Sequence, residues 1–245
     1  VGGFHTAKGA TWTVGSMVAQ TAGIPLKTPT EDVNQYGAEG EEFLPGVTTL
    51  TNILLDAGYT QTLMVGSDAR FGGRKPYFLQ HGMDEVLDIY TARADDIIPK
   101  NYFVWWGMED KYLFEYAKQE ISEIAAMDQP FNFTMLTVDT HHVGGYRCEY
   151  CDSTYEENYE NVISCSSRQV YEFVQWLMQQ DFYENTTIVI TGDHTIFRDE
   201  IGFSDMTKYA QENDIDFRAG HTFTPLIIYS PNIDGNIQIT DTCYQ

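Results

Sequence analysis

Three short stretches of this 245-residue chain carry side chains that could do chemistry together. Ile188 to Thr191 is a β-branched apolar run that stops at Gly192-Asp193-His194-Thr195. Such a run reads as a fully buried strand that delivers a carboxylate and an imidazole to the carboxyl edge of a sheet, where open α/β folds place their ligands. Asp and His side by side there suggest a metal; the plainer alternative is a loop Asp capping a helix beside an incidental His. A second run, Phe131 to Val138, leads into Asp139-Thr140-His141-His142, so two strands are expected to bring histidines to one edge. The third stretch starts at Thr13, where Val14, Met17, Val18 and Ala22 fall at helical spacing before Gly23 and Pro25 close the segment. Thr13 is thus expected at or near a helix N-terminus, where free N–H groups and the helix dipole favour bound negative charge. Its hydroxyl could act as a nucleophile or simply cap the helix.

Those side chains need a scaffold to position them. Residues 1–12 read as a loop, and residues 27–46, with Pro29, Gly37, Gly40 and Pro45, as a polar surface excursion. Thr48 to Ala57 is an amphipathic helix ending at Gly58, and Thr62 to Val65 is the strand that follows it. Next comes Gly66-Ser67-Asp68-Ala69-Arg70-Phe71-Gly72-Gly73-Arg74, a loop whose two arginines could hold an anionic head group by forked hydrogen bonds; Arg70 is expected to be a surface charge. Asp110 to Ala126 carries Leu113, Phe114, Ala117, Ile121 and Ile124 on one helical face, and Pro130 ends it. A long helix from about Tyr155 to Gln180 turns Ile163, Val170, Val174 and Leu177 inward. Residues 195–220 are a polar loop with room for one helix, and Phe223 to Tyr229 is a last strand. This alternation predicts an α/β fold, a mostly parallel central sheet with helices on both faces, in one domain over residues 1–245.

Composition narrows the partners. With 36 acidic against 14 basic residues the formal net charge is -22, which argues against a nucleic-acid backbone as ligand. A phosphate-bearing substrate would need local cations, either a metal or a few placed arginines. No run approaches the roughly 18 apolar residues of a membrane span, and no signal-like segment opens the chain. Cys148, Cys151 and Cys165 lie close together in a polar stretch, which suits either a zinc knuckle or disulfides. Because Cys243 stands alone rather than in a second close pair, disulfides are the expectation, Cys148 or Cys151 with Cys165, and with them an oxidising compartment.

Taken together, Thr13-Val14-Gly15-Ser16 beginning a helix, Leu136-Thr137-Val138-Asp139-Thr140-His141-His142, and Ile190-Thr191-Gly192-Asp193-His194 resemble the sulfatase-like branch of the alkaline phosphatase superfamily. Within it the chain looks most like the phosphoglycerol transferases, the group that contains lipoteichoic acid synthase and the enzyme that decorates periplasmic glucans. The similarity runs from about residue 9 to residue 231.

That resemblance implies a sulfatase-like fold and a set of roles. Thr13, with Ser16 three residues on, matches the Thr-x-x-Ser element whose threonine attacks phosphorus and touches the metal; Thr11 is the rival. Asp193 and His194 match the metal pair, and His141 the histidine at the phosphoryl group or leaving oxygen, with His142 beside it in the substrate-binding set. Phe71-Gly72-Gly73-Arg74 resembles a segment whose arginine binds glycerol phosphate, although lipoteichoic acid synthase has a tryptophan where Gly72 stands. The implied ion is divalent, manganese first, with magnesium or zinc as alternatives. The implied donor is a phosphatidylglycerol-type lipid and the acceptor a glycan or polymer of the cell envelope. The implied location is the extracellular or periplasmic face of a bacterial membrane, through anchoring helices that this chain does not contain. A further carboxylate ligand is expected from a first strand upstream of the threonine, and the opening Val-Gly-Gly-Phe-His looks like the middle of something longer. Competing readings are a phosphoethanolamine transferase, sulfatase or phosphodiesterase of the same superfamily, or a non-catalytic head-group-binding domain. A second cluster of metal histidines would mark a phosphoethanolamine transferase or phosphodiesterase; His221 is the spare histidine, expected to be structural.

Overall fold

The computed structural model describes residues 2–27, 42–195, 211–212 and 223–232. Its elements in chain order are β1 (Gly2–His5), α1 (Thr13–Ala22), α2 (Leu50–Asp56), β2 (Thr60–Val65), α3 (Arg74–Gln80), β3 (Glu85–Leu87), α4 (Ile89–Ala94), α5 (Asp110–Ala125), β4 (Phe131–Leu136), α6 (Asn158–Leu177), β5 (Ile188–Thr191) and β6 (Phe223–Tyr229). They form two compact units: one of residues 1–27, 142–144 and 170–245, the other of residues 28–141 and 145–169. The fold is α/β with a parallel sheet and helices, as the alternation predicts.

In the second unit β2 lies between β3 and β4, both parallel to it. Being central, β2 is buried from Gln61 to Val65. Gln61 is fully enclosed and survives there because its polar atoms are occupied: the side-chain N–H groups donate to Thr51 O and Gly82 O, and Oε1 accepts from Asn132. Thr49 caps α2 with a reciprocal Thr49–Asn52 pair, which is why this helix starts later than its hydrophobic pattern suggests. Asp88 does the same for α4 with Thr91, and its second oxygen accepts from Ala69 N at 3.1 Å, tying α4 to the loop after β2.

In the first unit the sheet order is β1-β6-β5, with both neighbours antiparallel to β6. Two expectations are corrected here. Residues 2–5 are a strand rather than loop. β5 is not fully buried: Val189 is 57% exposed and sits directly across from Ile228, 48% exposed, so β5 shows an apolar pair on one face. An antiparallel pair can leave one face uncovered, which a parallel strand rarely does. Likewise, β4 and β5 do not share a sheet, so the two histidine-bearing strands are not hydrogen-bonded members of one edge.

Candidate active site

In the first unit Thr13 is the first residue of α1 and is half-buried. The cap position itself falls on Trp12, whose side chain makes no capping bond, so Thr13 is not an ordinary N-cap. Thr11 lies before the helix and is exposed. Gly15 has no room for a side chain: a Cβ would stand 2.1 Å from Gly9 O and 2.6 Å from Trp12 Nε1, so the loop before α1 is pressed onto its first turn. Ser16, fully buried, accepts a hydrogen bond from Gln20 Nε2 at 3.0 Å. The same amide donates to Gly192 O at 3.2 Å, tying α1 to the exit of β5.

That exit presents the acid and imidazole. His194 Nδ1 lies 2.9 Å from Thr195 O, and since a carbonyl only accepts, Nδ1 carries the proton. Nε2 is left facing Asp193 Oδ2 at 3.5 Å. The distance between Nε2 and the Asp193 carboxylate suits two ligands of one cation. A backbone carbonyl on the far nitrogen is the usual device for orienting a metal-binding histidine. The chemistry of the donor set therefore fits a divalent ion.

In the second unit β2 and β4 run parallel with Val65 level with Leu136, so the segments after them leave at the same sheet edge. Gly66 N donates to Leu136 O at 3.3 Å, and Asp110 Oδ1 accepts from Val138 N at 2.7 Å, holding the chain just ahead of His141. His141 is half-buried and packs against Trp106, ring centroids 4.6 Å apart; His142, assigned to the first unit, is exposed. Trp106 sits in the turn between Val104 and Gly107, and Gly107 bridges to Ser67. Ser67 Oγ in turn accepts from Arg74 Nη2 at 3.0 Å. Arg74 is 4% exposed, and its guanidinium also donates to Asp68 O at 2.6 Å and Phe71 O at 3.1 Å. Gly72 and Gly73, both at positive φ, make the tight turn that brings Arg74 round to head α3. Arg70 is the surface charge expected, paired with Asp68 at 2.7 Å and bonded to Tyr90.

Sequence reasoning missed Trp106, Gln20 and the acid pair Asp110–Asp139. A Trp-Trp-Gly turn gives no periodic signal, and the bond from Gln20 joins residues 172 positions apart. Burial pushes both carboxyls up toward neutral pH, and the Asp110 charge adds to this for Asp139.

The cysteine expectation is also revised. Cys148, Cys151 and Cys165 are free, with Cys148 Sγ 3.6 Å from Cys151 Sγ and 3.8 Å from Cys165 Sγ, well beyond the roughly 2.05 Å of a disulfide. Burial raises the Cys148 and Cys151 thiols. Cys243 and His221 lie outside the described residues.

These features define an α/β domain of the alkaline phosphatase kind. The sulfatase family model matches residues 6–243, and the chain belongs to that family. It is 34% identical over 215 residues to phosphoglycerol transferase I of Xanthomonas campestris pv. campestris, a match that covers 85% of this chain and 30% of the relative. The chain thus spans less than a third of the curated relatives it matches first. Among solved structures it resembles the lipoteichoic acid synthase LtaP from Listeria monocytogenes, with a TM-score of 0.74 and 16% identity over 95% of this chain and 56% of that one. It also resembles the phosphoglycerol transferase GacH of Streptococcus pyogenes, with a TM-score of 0.55 and 15% identity over 94% and 58%. These two likenesses concern the fold.

Proposed function

We propose that residues 1–245 act as one sulfatase-like catalytic domain that moves glycerol phosphate from a phosphatidylglycerol-type lipid to a glycan or polymer of the cell envelope. Support comes from the names of the relatives and from one geometric observation, His194 Nε2 and Asp193 Oδ2 standing 3.5 Å apart. Asp193, His194 and the Thr13 hydroxyl would hold a divalent ion, manganese by family resemblance, although such a donor set discriminates little among manganese, magnesium and zinc. When bound, such an ion lowers the pKa of an alcohol and polarises phosphoryl oxygens.

The rest falls to the chain's own groups. The Thr13 oxygen, its hydroxyl proton passed to solvent, attacks phosphorus, the bond to the diacylglycerol oxygen breaks, and His141 supplies the proton that the departing alcohol needs. The product is a phosphoglyceryl ester on Thr13. An acceptor hydroxyl then attacks the same phosphorus, giving its proton to His141 and freeing Thr13. His142 faces the substrate, Ser16 backs the Thr13 turn from its buried position, and Arg74, whose Nε and Nη2 groups bond its own loop, contributes positive charge to the glycerol phosphate site. The domain works at the extracellular or periplasmic face of the membrane; among the described residues no helix is long and apolar enough to cross one.

The test is diacylglycerol release from phosphatidylglycerol by Thr13→Ala and Thr11→Ala, with intact mass to catch the ester. Thr13→Ala should abolish release and adduct, and Thr11→Ala should keep most of both. The reverse result moves the nucleophile to Thr11. An unmodified wild-type protein that releases nothing in the presence of manganese would end the transferase reading.

A further inference from the structure

We propose that Cys148, Cys151 and Cys165 bind a zinc ion at a site separate from the one formed by Asp193 and His194. All three sulfurs lie within 4.8 Å of one another. Zinc–sulfur bonds of about 2.3 Å at a tetrahedral angle place neighbouring sulfurs about 3.8 Å apart, and the two distances from Cys148 are 3.6 and 3.8 Å. The three sulfurs are not bonded to one another, and any one disulfide would strand the third.

Burial alone favours the protonated thiols, yet N–H donors stand around the sulfurs where metal-bound thiolates would use them. Cys148 and Cys151 are spaced as a CxxC pair in a turn closed by Cys151 N donating to Cys148 O at 3.1 Å. Within it the Tyr150 N–H is directed at the Cys148 sulfur. The Gln169 amide, one turn after Cys165 on α6, donates to Cys165 Sγ at 3.6 Å and reaches Cys148 Sγ at 4.0 Å. N–H donors aimed at sulfur stabilise the thiolate and orient it, as outer groups do around bound metals. Cys148 and Cys165 are 4% and 3% exposed, whereas Cys151 keeps some contact with solvent. Zinc would replace the three thiol protons, which leave to solvent, and a water would complete the tetrahedron.

The consequence is structural. Arg168, on α6, already bonds Tyr150 O and the Asp152 carboxylate. Zinc would fasten the same loop to α6 by covalent-strength contacts. Tyr146 N, two residues before Cys148, donates to Asp139 O at 2.7 Å, so the fastened loop continues into the segment that carries His141.

Cobalt substitution tests this without reading activity, so its outcome is independent of glycerol phosphate transfer. The whole chain, reduced and then loaded with cobalt, should show an intense near-ultraviolet thiolate-to-cobalt band, which oxygen and nitrogen ligands do not give. The protein as purified should carry about one zinc equivalent in an Asp193→Ala, His194→Ala background. Cys148→Ser, Cys151→Ser and Cys165→Ser should each lose most of the band. Absence of the band from the unsubstituted protein overturns the proposal, as does mass evidence that the native protein links two of these three sulfurs. Should the serine variants fail to fold, the band in the unsubstituted cysteine set still decides.

Discussion

The Gln20 side chain holds the backbone of Gly192 at 3.2 Å, while the same amide holds Ser16 Oγ at 3.0 Å. One neutral side chain thereby joins the first helix to the residue just before the Asp193–His194 pair. The helix bearing the hydroxyl and the strand bearing the acid and imidazole are held in one unit by this contact as well as by packing.

Gln20→Leu keeps the bulk and removes both bonds. Its global cost should be about 1–2 kcal/mol in denaturant unfolding. Metal affinity at Asp193–His194 should fall about tenfold or more, because an outer contact that positions ligands has gone. Unchanged affinity in a metal titration would mean that Gln20 only packs.

Gly15→Ala and Gly23→Ala separate two ways in which a glycine can be needed. At Gly15 the new methyl meets Gly9 O at 2.1 Å, so the first turn or the loop must shift, and the cost should be about 2 kcal/mol or more. At Gly23, left-handed at φ 68° with nothing within 4 Å, only backbone strain of about 1 kcal/mol is expected. Equal unfolding midpoints for the two variants would contradict the crowding described at α1.

Arg74→Lys should be far from conservative. A lysine cannot serve Phe71 O, Ser67 Oγ and Asp68 O from a planar fork, so the loop should lose about 2 kcal/mol. In donor assays the KM for the glycerol phosphate lipid should rise more than kcat falls. A change in kcat alone would place Arg74 outside head-group binding.

Stability should decline with rising pH through the neutral range. Burial first, and the Asp110 charge second, raise the Asp139 carboxyl to about 8, against about 4 in an unfolded chain. Between these values the folded protein keeps a proton that the unfolded chain releases. The stabilisation is therefore complete below about pH 4 and is lost progressively up to about pH 8. Asp139→Asn removes that share, so urea midpoints across this range should flatten; an undiminished slope would assign it to other groups.

Much of the site was legible because its signals are local. The start of α1 at Thr13, the bounds of β5 and β6, and the acid–imidazole pair after β5 all follow from residue order, since capping, β-branching and turn residues act within a few positions. Arg74 was readable as a candidate, but not as a buried fork clasping its own loop. Strand direction was not readable: β5 looks like any buried parallel strand until its partner, about 40 residues on, proves antiparallel. Nor could Cys spacing decide between a bonded pair and two sulfurs 3.6 and 3.8 Å from that of Cys148, because that depends on where α6 brings Cys165. Side-chain types and their local geometry belong to the sequence; the distances that turn them into ligands, proton donors or coupled acids arise only when segments remote in the chain are packed together.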